Sequence, residues 1–178
     1  IIAAITTGAV TATSSTTAVA DLLADLTTNG TTDDISITVS DTSADAADLS
    51  AINALTAAVA ADVDLTAVTE ITGSADAIKT AMAANGVSLT LNGTYDIVAS
   101  GDTSVSDINL IVGLTGGAGA TTGTITATAA SSDATELAGL TTTDARGDVI
   151  AITVTGSATG SELNTISGAT TSEVTATG

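Results

Sequence analysis

The stretch VIAITVTGSATGSELNTIS, Val149 to Ser167, decides the fold class because it combines two hydrophobic periods. In its first half Ile150, Ile152 and Val154 alternate with Ala151 and threonines. Period two with one apolar side predicts a strand in a sheet that is covered on one face and solvated on the other. A doubly wound parallel sheet would be buried on both faces and would give continuous apolar runs.

The second half of this stretch predicts a short helix. Leu163 and Ile166, with Ala169 just beyond the stretch, recur at three-residue steps, which gives one narrow buried stripe. Thr159 is followed three residues later by Glu162, the spacing of a capping box in which the acid also answers the positive helix terminus. The same spacing of a cap residue and an acid recurs at Asp45 and Asp48, Ser104 and Asp107, and Asp133 and Glu136.

The same phrases return along the chain. ELNTISGAT at Glu162–Thr170 has counterparts in DLSAINALT at Asp48–Thr56 and DINLIVGLT at Asp107–Thr115, at offsets of 107 − 48 = 59 and 162 − 107 = 55 residues. Seven strand patterns accompany them, at residues 9–15, 34–43, 58–65, 96–104, 123–132, 149–158 and 173–178. We therefore predict three superrepeats, at 1–57, 58–121 and 122–172, with the start of a fourth at 173–178.

Strands and helices that alternate with short connections require parallel neighbours. We expect an α/β repeat solenoid in which the seven strands form one parallel sheet with short helices on one face. A string of small βαβα beads is the alternative fold, but beads of this size with almost no aromatic residues would bury little apolar surface.

The composition supports cohesion spread over many similar layers. The sequence has no Phe, Trp, Cys, His or Pro, one Met and one Tyr, so its core must consist of Ala, Val, Ile and Leu. Many small, similar contacts are how repeat arrays are stabilised. The absence of cysteine also excludes disulfides, zinc-thiolate sites and thiol chemistry.

The charge balance is strongly acidic, with two basic residues, Lys79 and Arg146, against twenty acidic ones and a formal net charge of −18. Nucleic acids and anionic lipid surfaces require Lys/Arg clusters, so we predict neither as a partner. The sequence has no run of eighteen apolar residues, which predicts no membrane insertion. Since the chain begins and ends in the middle of its pattern, we expect it to be a fragment of something longer.

The phrases DTSADAADLSAINALT and GSATGSELNTISGATTSEVTATG resemble the Ala/Thr/Ser/Asp-rich tandem repeats of giant bacterial cell-surface proteins, particularly those of marine cyanobacteria. The likeness covers most of the chain. This resemblance implies a secreted or surface-displayed architectural role, and it implies no catalytic residue.

The residue types also argue against catalysis. Without His or Cys, a nucleophile would need Ser or Thr beside a lysine or carboxylate base. Lys79 lies in the helix pattern ADAIKTAMAANG, where we expect a solvated helix residue. We predict that the paired carboxylates cap helices and do not act as a general acid and base. We therefore predict no enzyme activity.

Calcium is the alternative role for the acidic residues. The candidate ligands are Asp62, Asp64, Asp96 and Asp102, with Asp33, Asp34 and Asp41 also near strand ends. Their spacing matches neither an EF-hand loop nor the glycine-aspartate nonapeptide of calcium-binding β-rolls. We therefore predict no cofactor, with calcium as the alternative.

Three further motifs have a bland and a functional interpretation. The NGT triplets at 29–31 and 92–94 are formal glycosylation sequons, but Asn-Gly is also a favoured turn. RGD at 146–148 is an adhesion tripeptide that also arises by coincidence. An ice-binding array is the functional interpretation of a threonine ladder comprising Thr124, Thr126, Thr128, Thr153, Thr155, Thr175 and Thr177.

The sequence thus predicts a structural repeat segment of a long extracellular fibre, surface-layer or adhesin-stalk protein that acts by self-association. The alternative is a binding module that recognises glycan, ice or calcium on an exposed Ser/Thr/Asp sheet face. Neither IIAAITTGAV nor EVTATG contains a recognisable cap, so both ends are predicted to associate with further repeats or with other copies.

Overall fold

The structure is a computed structural model, and it describes residues 11–13, 18–25, 34–56, 63–83, 89–91, 94–115 and 123–177. The strands are β1 (Thr11–Thr13), β2 (Asp34–Thr38), β3 (Ser43–Asp45), β4 (Val63–Leu65), β5 (Glu70–Ser74), β6 (Leu89–Leu91), β7 (Asp96–Thr103), β8 (Ile125–Ala129), β9 (Val149–Thr155) and β10 (Val174–Thr177). The helices are α1 (Val19–Asp25), α2 (Ala46–Thr56), α3 (Ala75–Ala83), α4 (Val105–Thr115), α5 (Ala134–Leu137) and α6 (Gly160–Ser167). A 3₁₀ turn, Asp144–Arg146, lies before β9.

The strands form two parallel sheets, in the orders β1-β2-β4-β6 and β10-β9-β8-β7-β5-β3. The prediction of an α/β fold with parallel strands and short helices is confirmed. The prediction of a single sheet of seven strands is wrong, because the described residues contain ten strands. In chain order β2, β4 and β6 of the first sheet are each followed by a strand of the second sheet, which is β3, β5 and β7 respectively.

Two regions differ in how many strands accompany each helix. The N-terminal region, β2 to β7, places strands in both sheets, and its register pairs Ser43 with Glu70 and Glu70 with Asp96. These offsets are 70 − 43 = 27 and 96 − 70 = 26 residues. The C-terminal region, β8 to β10, has strands in the six-stranded sheet alone, and Thr126 pairs with Val149 at an offset of 149 − 126 = 23 residues.

Strand pairing continues across the superrepeat boundaries proposed from the sequence. β2 pairs with β4, β7 with β8 and β9 with β10, so each pair joins residues on the two sides of one boundary. The boundaries at 57/58 and 121/122 lie outside the described residues. The superrepeat division stays a prediction.

The core follows the predicted alternation. In β9 the side chains of Ile150, Ile152 and Val154 are buried, while those between them face solvent. The buried helix positions include Leu49, Ile52, Ile108, Ile111 and Ile166. Neighbouring helices pack side by side, α1 on α2, α2 on α3, α3 on α4 and α5 on α6. Each fully buried aliphatic side chain contributes about 1.5–3 kcal/mol of transfer free energy, so the core is strong only because it has many such layers.

Helix starts in the C-terminal region confirm the predicted capping. At α6 the Thr159 hydroxyl accepts a hydrogen bond from Glu162 N, and the Glu162 carboxylate accepts one from Thr159 N, which completes a capping box. At α5 Asp133 Oδ1 accepts from Glu136 N at 2.9 Å. These bonds satisfy backbone donors that the helix itself leaves open.

Helix starts in the N-terminal region confirm it in part. At α4 Ser104 Oγ accepts from Asp107 N at 3.1 Å and donates to Asp107 Oδ2 at 2.8 Å. At α2 Asp45 caps the helix as predicted, but its Oδ1 accepts from Ala47 N at 2.8 Å and not from the backbone of the acid three residues later.

One glycine fixes the junction of the two regions. Gly123 lies just before β8 and beside the residue that precedes β7, and a Cβ at this position would overlap the carbonyl oxygen of Tyr95. Tyr95 is itself buried, and this burial raises its pKa to about 12. The close backbone approach therefore requires a residue without a side chain.

Candidate functional site

Polar side chains join several segments of the chain to segments of a neighbouring unit. The bonds of this kind are Asp41 to Val19 N, Ser43 to Glu70, Thr69 to Thr42 O, Asp96 to Thr124, Thr135 to Glu162 and Thr155 to Ser132. Most lie at the surface, where each contributes little alone. Together they make the polar residues part of the contact between neighbouring units.

Asp148 is the most deeply buried of these polar groups, with 0% of its surface exposed. Its Oδ1 accepts from Ile125 N at 3.0 Å, and its Oδ2 accepts from Thr143 N at 2.8 Å. Arg146 adds a bidentate ion pair, with Nε 2.9 Å from Oδ1 and Nη2 2.8 Å from Oδ2. The carbonyl oxygen of Asp148 accepts from Thr171 N at 2.8 Å. One residue thus ties together β8, the loop before β9 and the loop before β10.

This geometry gives the RGD tripeptide a structural role. Its aspartate is enclosed and its arginine, 19% exposed, is bound to that aspartate. Gly147 between them has a φ of +84°, a left-handed conformation that glycine adopts without strain. An adhesive interpretation requires a carboxylate that a partner can reach, and this carboxylate is buried.

Thr170 performs a similar service for β9. Its hydroxyl accepts from Ile150 N at 2.8 Å and donates to Ile150 O at 2.9 Å, which satisfies both backbone groups of that buried strand residue. The same oxygen accepts from Ser172 N at 3.0 Å. A threonine side chain therefore takes the place of a partner strand at the start of β9.

Asn109 links α4 to the loop after α5. Its Nδ2 donates to Gly139 O at 2.8 Å, and its Oδ1 accepts from Thr141 N at 2.8 Å and from Thr141 Oγ1 at 3.0 Å. The amide thus bonds the backbone as a neighbouring strand would. This contact joins the helix layers of the two regions where α5 has only four residues.

Lys79 joins α3 to α4. Its Nζ lies 2.6 Å from Asp107 Oδ1 and 2.7 Å from Asp76 Oδ1, and its side chain is 22% exposed. The expectation of a simply solvated lysine is therefore wrong. The hydrogen bond from Lys79, followed by that from Ser104, holds the pKa of Asp107 below its ordinary value. The ammonium pKa is raised by the same two carboxylates, with Asp107 the larger cause.

The calcium candidates are distributed over both sheets. Asp64 lies in β4, and its Oδ1 accepts from Thr66 N at 2.9 Å, a bond that lowers the carboxyl pKa. Asp96 and Asp102 lie at opposite ends of β7 in the other sheet. Asp62 lies outside the described residues. The structure thus does not bring Asp64 together with the pair on β7.

The described aspartates have structural partners close at hand. Asp96 Oδ1 accepts from Thr124 N at 2.7 Å, and Asp41 Oδ2 accepts from Val19 N at 2.8 Å. Asp34 is the first residue of β2, and Asp33 falls outside the described part. Within the ranges that the structure describes, no three acidic side chains form a group suited to a metal ion. Calcium binding stays an untested alternative.

The threonine ladder is regular only at its C-terminal end. Thr153 and Thr155 of β9 lie opposite Thr175 and Thr177 of β10, so four exposed threonines form a two-by-two array. The next register places apolar residues of β9 opposite the threonines of β8. The outer face of β9 and β10 therefore carries no charge, but its threonine array extends over two strands.

β10 forms one edge of the six-stranded sheet among the residues that the structure describes. β10 is the outermost strand and pairs Val174 with Ile152 and Ala176 with Val154. The two β9 residues are buried, whereas Val174 is half-buried and Ala176 is exposed. Within the described residues, the inner face of β10 thus has the apolar alternation of β9 and is more exposed than that of β9.

The asparagines of both NGT triplets lie outside the described residues. Among the helices that the structure describes, none combines the length and the apolar content that crossing a bilayer would take.

Comparisons of the chain with protein-family models, with curated proteins and with solved structures give no match.

Proposed function

We propose that this chain is a non-catalytic, structural repeat segment of a long extracellular fibre, surface-layer or adhesin-stalk protein, and that it acts by self-association. In this proposal, successive turns of one α/β solenoid supply the strands of the two parallel sheets and the helices of the helix layer. The resemblance to bacterial cell-surface repeats supports the extracellular assignment.

Two observations support a continuous solenoid over separate beads. Strands of the six-stranded sheet follow one another in chain order from β3 to β10, and every pair is parallel. Polar side chains bridge the same steps, including Asp148 between β8 and the loop before β10. Separate beads would place their hydrogen bonds within units, whereas these bonds run between units.

The apolar alternation and low burial of β10, an outermost described strand of its sheet, support the proposal of self-association. An open edge offers a row of backbone donors and acceptors, and Val174 and Ala176 add uncovered apolar surface. β10 itself is uncharged, while the chain as a whole has a net charge of −18. Repulsion therefore disfavours side-by-side contacts more than contacts at this edge, and head-to-tail contacts that do not close grow linearly.

Light scattering over a concentration series tests this function. We expect the mean mass to rise with concentration above the 16.9 kDa of one chain. Val174→Lys should suppress the rise, because it places a charge on the inner face of β10. Ala151→Lys is the matched control, since it adds the same charge at an exposed position of β9. A chain that stays at the monomer mass at all concentrations contradicts the proposal.

A further inference from the structure

The outward faces of β8 and β9 form a surface without charge. We call it the neutral patch, and its side chains, each exposed or half-buried, are Thr126, Thr128, Val149, Ala151, Thr153 and Thr155. Both strands lie in the interior of the six-stranded sheet, since β8 pairs with β7 and β9, and β9 pairs with β8 and β10. The exposure of the patch is therefore a property of the sheet face and not of a sheet edge.

Carboxylates surround the neutral patch. Asp96 and Asp102 of the adjoining strand β7 are exposed, and so is Glu173 just before β10. On the other side of the sheet, each helix that the structure describes has an acidic residue in its first turn. The chain has a net charge of −18, so two copies that approach each other sideways repel least when their neutral patches meet.

We propose, building on the proposed function, that filaments of this chain associate sideways through the neutral patch, with the patch of one copy against the patch of another. The occupant of this surface is therefore a second copy of the same chain. A contact between identical patches is isologous, whereas the contact that lengthens a filament is head-to-tail. The two contacts use different surfaces and respond to different substitutions.

The side chains of the patch suit a copy of itself. A threonine hydroxyl both donates and accepts, so two faces lined with threonine satisfy each other, which two faces of carboxylates cannot do. Thr126 lies opposite Val149 and Thr128 opposite Ala151, so polar and apolar side chains stand next to each other. Val149 is 38% exposed, and pairing removes its apolar surface from water.

The size of the patch makes its pairing depend on filaments. From Val149 to Thr155 the strand β9 is about 20 Å long, and two strands are about 10 Å wide, so the patch covers on the order of 200 Å². A stable complex buries about 800 Å² on each partner. One pair of patches is therefore too small to hold two single copies together. Copies joined end to end present their patches in a row, and each contact then raises the effective concentration for the next.

Salt controls the sideways contact, because the carboxylates around the patch are screened by ions. Two sheets that pack face to face lie about 10 Å apart. The Debye length is about 30 Å at 0.01 M salt and about 3 Å at 1 M salt. Carboxylates of two neighbouring filaments therefore repel each other across the contact at low salt only. We expect single filaments at the lower salt concentration and bundles at the higher one.

Electron microscopy and low-speed sedimentation of Thr153→Glu test this inference. The substitution places a carboxylate in the patch, and like charges brought together cost several kcal/mol. At high salt we expect filaments that stay single, with a bundled fraction reduced about tenfold or more. Ser161→Glu is the matched control, since it adds the same charge at an exposed position in the first turn of α6, where an acid is favourable. It should form bundles as the unmodified chain does.

A mixture of two variants tests whether like patches meet. Thr153→Glu and Thr153→Lys should form more bundles together than either does alone, because opposite charges then face each other across the contact. Ala151→Glu is a second variant of the patch, which keeps the test valid if Thr153→Glu disturbs folding. Bundles of Thr153→Glu and Ala151→Glu equal to those of the unmodified chain overturn the inference. So does a mixture that forms no more bundles than its components.

This inference and the proposed function fail in different ways. If filaments of the unmodified chain stay single at high salt, the sideways contact is wrong and self-association by elongation stands. If no filaments form at any concentration, the proposed function fails and the sideways contact fails with it. Inhibition of ice recrystallisation that is lost in Thr153→Glu, without any bundling, would assign the patch to ice and overturn the inference.

Discussion

The N-terminal and C-terminal regions hold their neighbouring units together by different means. From β2 to β7 the chain forms strands in both sheets, and α2, α3 and α4 pack side by side. From β8 to β10 each unit has one strand, and α5 has only four residues. The polar groups that bridge the second region, Asp148 and Thr170, are buried, whereas the Lys79 bridge of the first region is partly exposed.

The difference shows what a loop must supply when it replaces a strand. In chain order the connection 138–148 stands between a helix and a strand of the six-stranded sheet, where the N-terminal region has a strand of the four-stranded sheet, and it buries Leu140 and Thr142. Its backbone cannot form a regular ladder, so side chains complete the hydrogen bonding of β8 and β9. Buried polar bonds are costly to remove, because the groups left behind remain buried without partners. Stability is therefore concentrated in few residues in the C-terminal region and spread over many in the N-terminal one.

The largest expected effect comes from Asp148→Asn, which keeps the shape and removes the charge. Arg146 then loses its counter-charge, and a backbone donor from Ile125 or Thr143 faces an amide donor. We expect the free energy of unfolding to fall by about 3 kcal/mol, the lower end for a broken buried ion pair. Urea denaturation followed by the fluorescence of the single tyrosine measures it.

Asp102→Asn is the control for this variant, because Asp102 is an exposed aspartate of β7. The same change there should alter the free energy of unfolding by less than about 0.5 kcal/mol. Equal effects at the two positions would mean that the C-terminal region does not depend on its buried carboxylate.

Gly123→Ala attacks the junction between the regions. A methyl group would overlap the Tyr95 carbonyl, so the strands must shift at a cost of about 2 kcal/mol. Gly113→Ala is the control, since no atom lies near a Cβ at that exposed helical position. It should instead stabilise α4 by about 0.5–1 kcal/mol. Thermal denaturation that gives both variants the same sign would contradict the close approach at Gly123.

Thr159→Ala removes the hydroxyl cap of α6 and should lower the free energy of unfolding by about 1 kcal/mol at neutral pH. Hydrogen bonds from Thr159 N, Thr159 Oγ1 and then Thr135 Oγ1 hold the pKa of Glu162 below its ordinary 4.5. A carboxyl group whose pKa is lower in the folded state stabilises that state at pH values above its unfolded-state pKa. This stabilisation is lost as the pH falls below about 4.5.

The difference in the free energy of unfolding between wild type and Thr159→Ala should therefore become smaller in acid. Denaturation at a series of pH values measures this difference. Thr165→Ala in the same helix is the control, because Thr165 bonds only the preceding turn and alanine favours helix. If this difference in the free energy of unfolding is constant from neutral to strongly acidic pH, the Thr159 cap does not act through Glu162.

Lys79→Met tests the exposed bridge of the N-terminal region. Because Lys79 and Asp107 are both partly exposed, the expected loss of stability is small at low salt, and it should vanish at high salt. Lys79→Arg, which keeps the charge, should retain most of the stability. A loss above about 2 kcal/mol that persists in salt would erase the contrast with Asp148.

The smallest expected effect is that of a chelator. If the aspartates serve only as caps and bridges, removing divalent cations should leave the thermal midpoint unchanged at moderate salt. A large drop would indicate a cation bound only by the folded state, which stabilises it by mass action. Substituting Asp64 and Asp96 by asparagine would then show which region holds that cation.

The sequence was most informative where periodicity is long. The alternation of β9 and the buried stripe of α4 could be read directly, because each spans enough residues to show its period. β3 and β6 have three residues each, too few to show a period, and β5 contains a glycine and a single buried residue, Ile71. The division into two sheets was missed because β3 and β5 of one sheet and β6 of the other gave no separate strand pattern.

The role of Asp148 was also missed, for a different reason. Its sequence neighbours form an RGD tripeptide, and its hydrogen-bond partners Ile125 and Thr171 are each 23 residues away. Nothing local marks such a group. The available signal was its position immediately before a buried strand, where an aspartate has to find partners in the fold.

The ion pairs of the two basic residues bear on how the chain is degraded. Trypsin-like proteases cut after lysine or arginine, and this sequence offers one of each, Lys79 within α3 and Arg146 in the 3₁₀ turn before β9. Both side chains are held by carboxylates, and a protease needs the surrounding segment extended, so cleavage must await local opening. When opening and closing are fast, each cut reports the population of its own open form. Cleavage after Lys79 therefore reports the opening of the N-terminal region, and cleavage after Arg146 reports the opening of the C-terminal region.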